Sequence, residues 1–216
     1  MTRLSDVWPL FGLELRTPRL SLTPVRDEQL PELIDAVLDG IHDPAKMPFG
    51  VPWTDAPRDV LIRETVRHQW RQRCSVEPGS WTINFAVSFE GRVVGMQDVS
   101  ARDFPLLRTV HSGSWLTQPV QGRGLGKEMR AAILLFAFDH LGAVAALSEA
   151  AEWNNSSLGV SRSLGYEANG VSEVVARPGE VTRQVHLRLQ ADWFKRPEWS
   201  LGVNGEEPVL PLLTTA

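Results

Sequence analysis

Residues 121–126 read Gln-Gly-Arg-Gly-Leu-Gly and run directly into Lys127-Glu128-Met129-Arg130-Ala131-Ala132-Ile133, which reads as the opening of a helix. Backbone N–H groups at a helix start are unpaired and carry partial positive charge. Glycines let an anion approach them closely, and the combination makes a phosphate site. On the glycines alone, the run reads equally as a tight turn in which Gly124 and Gly126 relieve strain. Spacing excludes two phosphate loops. A dinucleotide fingerprint requires glycine at Lys127, and a P-loop requires glycine at Gln121 and Ser or Thr at Glu128. What remains is Gln-x-x-Gly-x-Gly on Gln121, Gly124 and Gly126. A second kind of chemistry would rest on Cys74, the single cysteine, whose neighbours Arg71 and Arg73 favour a thiolate. No motif surrounds it.

The elements that must position the loop follow from periodicity. Residues 19–25 alternate apolar and polar side chains and predict a strand. Asp27 is the expected N-cap of a helix over 28–38, and a second helix is expected over 58–71. Between them, residues 43–55 form a proline-rich loop carrying Met47, Phe49 and Trp53, which either covers a pocket or anchors the loop to the core. Residues 81–89 and 92–99 make a hairpin around Glu90-Gly91. One strand is expected over 108–116, a buried helix over 127–141 and a short strand over 144–148. Asn154 or Asn155 caps a helix that stops at Gly165, and a last hairpin turns at Pro178-Gly179. Residues 1–196 thus read as one domain and 197–216 as an extended tail.

Three motifs in this order resemble the GNAT (Gcn5-related N-acetyltransferase) superfamily. The Gln-x-x-Gly-x-Gly spacing is similar to its acyl-CoA loop. Asn154, Ser157, Val160, Leu164, Gly165 and Tyr166 match its Asn-x-x-Ser…Leu-Gly-Phe/Tyr segment. Gly113-Ser114-Trp115-Leu116 is similar to the Gly-Tyr-Trp-Leu strand of the RimJ/RimL-type branch. The resemblance spans residues 15–189 and implies an α/β (α+β) fold, with a mixed, mostly antiparallel, twisted sheet flanked by helices. It also implies that the strand ending at Leu116 and the strand ending near Glu149 splay to admit the pantetheine arm.

The resemblance assigns roles residue by residue. The backbone of Gln121, Gly122, Arg123, Gly124, Leu125, Gly126 and Lys127 would hold the CoA pyrophosphate. The edge made by Trp115, Leu116 and Thr117 would bind the pantetheine and polarise the thioester carbonyl. Asn154 and Ser157 would also contact the cofactor, with Ser157 facing the leaving thiolate. Glu149 or His111 would serve as base, because amines are mostly protonated near neutrality, with α-amino groups at about 7.7–8.0. Phe49, Trp53 and Ser114 would line the substrate pocket. Tyr166 lies in the packing motif, and Ser161 occupies the usual position of the acidic Tyr. Ser and His in place of Tyr and Glu leave a roomier, less anionic pocket. Its donor is therefore acetyl-CoA or a dicarboxylic acyl-CoA such as succinyl-CoA, with the free carboxylate reaching His111, the serines or an arginine.

Composition agrees with an enzyme of this kind. A net charge of -4 speaks against nucleic acid held by bulk charge and suits a cationic acceptor. One cysteine allows neither an internal disulfide nor a cysteine metal cluster, so no metal is expected. The first twenty residues do not read as a signal peptide, and no window reads as a membrane span, so a cytoplasmic protein is expected. The apolar tail residues Trp199, Leu210, Leu212 and Leu213 suggest packing on the sheet or on another subunit, hence a homodimer. The acceptor would be a protein N-terminus, a lysine or a small amine. The rival reading is a non-catalytic acyl-CoA-binding module on the same fold.

Overall fold

The computed structural model describes residues 2–215. Its strands are β1 (Glu14–Arg16), β2 (Leu20–Pro24), β3 (Trp81–Phe89), β4 (Arg92–Ala101), β5 (Thr109–His111), β6 (Ser114–Leu116), β7 (Ala145–Ala151), β8 (Glu167–Arg177), β9 (Glu180–Gln190) and β10 (Gly202–Asn204). The α-helices are α1 (Leu4–Val7), α2 (Leu30–Leu38), α3 (Arg58–Cys74), α4 (Phe104–Leu107), α5 (Leu125–Leu135), α6 (Asn155–Leu164) and α7 (Leu210–Thr214). The strands form one sheet in the order β10-β1-β2-β3-β4-β5-β7-β9-β8, with β6 paired to β4 outside this path. Every pairing is antiparallel except β5 with β7. This is the mixed, mostly antiparallel sheet flanked by helices that the motifs imply.

Two apolar layers hold the helices to the sheet. On one face Met129, Ala132 and Ile133 of α5, with Phe136 of the turn that follows it, join a core shared with Leu22, Phe85, Val110 and Leu189. On the other, Leu30, Leu33 and Val37 of α2 pack on Ala86, Met96 and Trp115. Alternation along the strands makes this possible, because successive side chains leave opposite faces.

Several local expectations change. Asp27 does not cap a helix: it lies in a 3-10 turn, Asp27–Gln29, and bonds Arg73 at 2.9 Å and the Trp70 indole at 3.2 Å. A charged partner on α3 outcompetes the local cap. The strand expected over 108–116 is two strands, broken at Ser112-Gly113, where the Asp98 carboxylate takes the Gly113 N–H at 2.9 Å. The helix expected from Lys127 begins at Leu125 and ends in a π-helical turn, Phe136–His140. Glu149 lies within β7, which runs on to Ala151, and Cys74 is the last residue of α3. The tail is not merely extended. Its β10 pairs with β1, and Val209 and Leu213 are fully buried, with Leu213 O accepting the Trp81 indole N–H at 2.9 Å. Trp199, Leu210 and Leu212 pack on the chain's own core.

Candidate active site

A gap opens in the middle of the sheet. β5 and β7 pair only from Thr109↔Ala145 to His111↔Leu147. The Ser112 N–H still reaches Leu147 O at 3.0 Å, after which β6 stays with β4 while β7 continues beside β9. β6 is held unusually close to β4: a Cβ on Gly95 would lie 2.3 Å from Trp115 O. The Thr117 N–H bonds Val94 O at 2.8 Å, so alternation turns the N–H and C=O of Leu116 toward the gap. Leu116 O accepts the Gln121 amide at 2.7 Å, leaving the Leu116 N–H as the donor that faces the opening.

The glycine loop is braced from below. The Gln121 side chain also donates to Ile41 O at 2.7 Å, so it clamps the loop rather than projecting outward. Gly122 and Gly124 have φ of 75° and 80°, a left-handed backbone that favours glycine. Glu128, in the first turn of α5, is buried and takes Thr17 Oγ1 at 2.6 Å, Arg19 N at 3.0 Å and Arg19 Nε at 2.6 Å. Arg19 then reaches Arg123 O at 3.0 Å, tying loop, helix and β2 together. The Arg123 guanidinium lies over the Phe89 ring at 4.6 Å and 3.7 Å from Glu90. The first α5 N–H groups, Leu125, Gly126 and Lys127, precede any intrahelical partner. A Cβ built on Gly122 would meet nothing within 4 Å, so the outer side of the loop is open. That space above unpaired donors fits a pyrophosphate.

A cavity of about 820 Å³ passes through the gap. On the α2–α3 face it is lined by Phe49, Trp53, Trp115, Asp98, His111 and Glu149. The rings of Phe49 and Trp53 lie 5.4 Å apart, and those of Trp53 and Trp115 lie 6.2 Å apart. The loop carrying Phe49 and Trp53 is fastened to the β8–β9 hairpin, because Arg177 bonds Asp55 at 2.6 Å and Pro44 O at 2.8 Å. On the α5–α6 face the lining residues are Ser114, Arg130, Ser148, Asn154 and Ser157. Asn154 caps α6, taking the Ser157 N–H at 3.1 Å, which turns the Ser157 hydroxyl's turn of helix to the cavity. Ser161 is fully buried and gives its oxygen to Arg130 at 3.0 Å. Tyr166 is buried with its hydroxyl unpartnered, and neither it nor Cys74 lines the cavity.

His111, Glu149 and His186 gather on one face of the sheet. Glu149 stands directly opposite His186 across β7 and β9, with His186 Nδ1 3.5 Å from the carboxylate and Nε2 2.8 Å from Ser172 Oγ. His111 pairs with Leu147, two residues before Glu149 and on the same face. Desolvation lowers the His111 pKa below its usual value; Glu149 works against the shift and Arg102 adds to it. A neutral imidazole near pH 7 is able to take a proton.

Asp98 is half-buried and faces the cavity. Desolvation raises its pKa to about 6, opposed by the Gly113 N–H and by Arg130. The folded protein therefore binds a proton that the unfolded chain releases between pH 3.8 and about 6. Stability is lost as pH rises through that window and stays lost above it. Asp98→Asn, which retains an oxygen for Gly113, is expected to stabilise the protein at pH 7.5 by about 1–2 kcal/mol. The gain should shrink as pH falls and vanish by about pH 3, where Asp98 is protonated in both the folded and the unfolded chain. Urea denaturation at the two pH values measures it, and an equal effect at both would refute the buried-charge account.

Asp98, Arg130, Ser148 and His186 belong to the cavity without any motif having marked them. Only Arg130 had a signal, a charged residue inside a helix segment whose other positions are apolar on most sides. Among the described residues no cluster of three metal-ligating side chains occurs, and no helix is long and apolar enough to cross a membrane.

Residues 19–167 match a family model described as an acetyltransferase (GNAT) domain. The chain is similar to the Mycobacterium smegmatis RimJ structure in complex with CoA-disulfide, with TM-score 0.69 and 17% identity over 85% of this chain and 90% of that one. It is similar to RimL, described as a ribosomal L7/L12 alpha-N-protein acetyltransferase in complex with coenzyme A, with TM-score 0.64 and 14% identity over 82% and 96%. A GCN5-related N-acetyltransferase from Brucella melitensis aligns with TM-score 0.64 and 18% identity over 83% and 79%. At these identities the likeness is one of fold.

Proposed function

Since the chain belongs to the GNAT acetyltransferase family, we propose that it transfers an acyl group from acyl-CoA to a primary amine by direct attack, with both substrates bound. The observation that carries this reading is a cavity that crosses the sheet at the β6–β7 gap. Carboxylates line it on the α2–α3 face, and the unpaired N–H groups that begin α5 lie in the glycine loop that follows β6.

The N–H groups of Leu125, Gly126 and Lys127 hold the pyrophosphate, and Asn154 and the β6 edge hold the pantetheine. CoA supplies a thioester, whose C–S bond breaks as the amine forms its N–C bond. The Leu116 N–H lies where it would stabilise negative charge developing on the thioester oxygen. Glu149 or His111 takes the proton from the amine, and the Ser157 hydroxyl donates to the departing sulfur. Asp98 and Glu149 favour a cationic acceptor entering from the aromatic side. The Arg177–Asp55 fastening supports an acceptor that threads in, a protein N-terminus or a small amine, over a lysine on a folded surface. The acyl group is acetyl or a dicarboxylic chain such as succinyl.

The rival reading, a module that binds acyl-CoA without turnover, separates by assay. Thiol release from acetyl- and succinyl-CoA is measured with a panel of N-terminal peptides, lysine peptides and small amines. Amine-dependent release is expected. Calorimetric CoA binding without release from any pair would favour the binding module.

A further inference from the structure

Arg130 stands out in α5, the helix that carries the glycine loop into the core. It is 4% exposed, between Met129 and Ala131 at 3% and 2%. Its hydrogen bonds go to three neutral hydroxyls: Ser161 at 3.0 Å, Ser114 at 3.2 Å and Ser148 at 3.3 Å. Its Nε–H has no partner. No carboxylate among the described residues lies within ion-pair distance of it; Asp98 feels its charge without pairing. A guanidinium removed from water is costly unless a counter-charge meets it.

The serines come from β6, β7 and α6, the three elements that frame the gap. Ser148 and Ser161 spend their hydroxyl hydrogens on Ser112 O at 3.0 Å and Ser157 O at 3.1 Å, so both turn oxygen toward Arg130. The Ser114 hydroxyl accepts from Arg130 and donates to no protein acceptor. Arg130 and Ser114 both line the cavity. Together they present N–H and O–H donors to one anion.

Charge is divided across the sheet. Asp98 and Glu149 line the amine side, where they repel a carboxylate, while Arg130 lies on the side of the glycine loop. The anion therefore belongs to the donor. Ser114 lies two residues before Leu116, about 6–7 Å along the strand. That distance is close to the span from the carbonyl to the terminal carboxylate of a four- or five-carbon diacid.

We propose that Arg130 and Ser114 form a carboxylate-binding subsite for the far end of the acyl chain, so that the donor is a short dicarboxylic acyl-CoA. This rests on the acyl-CoA reading above. In transfer the amine N–C bond forms, the thioester C–S bond breaks and the amine proton ends on the CoA thiol. The distal carboxylate is unchanged, bound bidentate or singly by the guanidinium throughout.

The test compares succinyl-CoA with butyryl-CoA, which has the same chain length and no carboxylate, using calorimetry and thiol release. Wild type should favour succinyl-CoA at least about tenfold, the scale of a charge-assisted hydrogen bond. Arg130→Met should erase the preference while free CoA binds as before, and Arg130→Lys should keep part of it. Ser114→Ala should reduce it. If Arg130→Met does not fold, the wild-type comparison decides alone. Equal or better binding of butyryl-CoA, with free CoA binding normally, would overturn the subsite and leave acyl transfer standing. Absence of binding by CoA itself would overturn both.

Discussion

Gly124→Val is expected to weaken CoA binding more than a hundredfold. Two effects combine. Gly124 has φ of 80°, where a β-branched residue is strained by about 1–3 kcal/mol. Relaxing that strain moves the first N–H groups of α5, the donors proposed above to hold the pyrophosphate. The Cβ itself meets only Arg19 Nη2, at 3.5 Å, so strain rather than a clash is the direct effect. Strain and ligand loss are separable with Gly179→Val in the β8–β9 turn. There φ is 79° and a Cβ meets nothing within 4 Å, so the backbone penalty recurs far from the loop. Both variants should lose similar stability, and only Gly124→Val should lose CoA in calorimetry. A folded Gly124→Val protein with unchanged CoA affinity would overturn the phosphate-loop assignment.

The loop was legible because its signal is local. Glycines at 122, 124 and 126 and a helix expected from Lys127, two residues after its observed start, are written in consecutive residues, and Asn154 with Gly165 brackets α6 in the same way. The gap was legible only in outline. That two strands splay followed from the family resemblance, but the break at Ser112-Gly113 depends on Asp98, fifteen positions from Gly113 and on another strand. Asp27 shows the same limit, since its partners Arg73 and Trp70 lie more than forty residues away. His186 is invisible without register: only the β7–β9 pairing sets it opposite Glu149. The apolar tail was legible as apolar, yet its target, the free edge of β1 and the Trp81 indole, is a property of the assembled sheet. Short-range rules find turns, the glycine run before α5 and the Asn154 cap, and miss Asp27. Long-range pairing decides which polar side chains meet in the cavity.

Glu149→Gln is the sharper probe of the chemistry, with kcat expected to fall about hundredfold or more. Its geometry gives it two possible contributions. Its carboxylate lines the cavity and sits 3.5 Å from His186 Nδ1, so it is placed to take the amine proton or to orient an imidazole that does. It also raises the His111 pKa against the desolvation and Arg102 that lower it. The pH profile distinguishes these. If His111 is the base, activity falls as pH drops through its lowered pKa, because protonation removes the acceptor. Glutamine at 149 removes the one influence holding that pKa up, so the acid limb should move further toward low pH while the plateau drops modestly. If Glu149 is the base, glutamine cannot accept a proton, and the plateau itself should collapse while CoA affinity, set by the loop on the other side of the sheet, is retained. The collapse is the expected result, because Glu149 projects from the strand that borders the gap, whereas His111 lies on β5, before the strands part. His111→Ala should then cost less than Glu149→Gln. Wild-type kcat in Glu149→Gln across the pH range would remove Glu149 from the mechanism and leave His111 to be tested as the base.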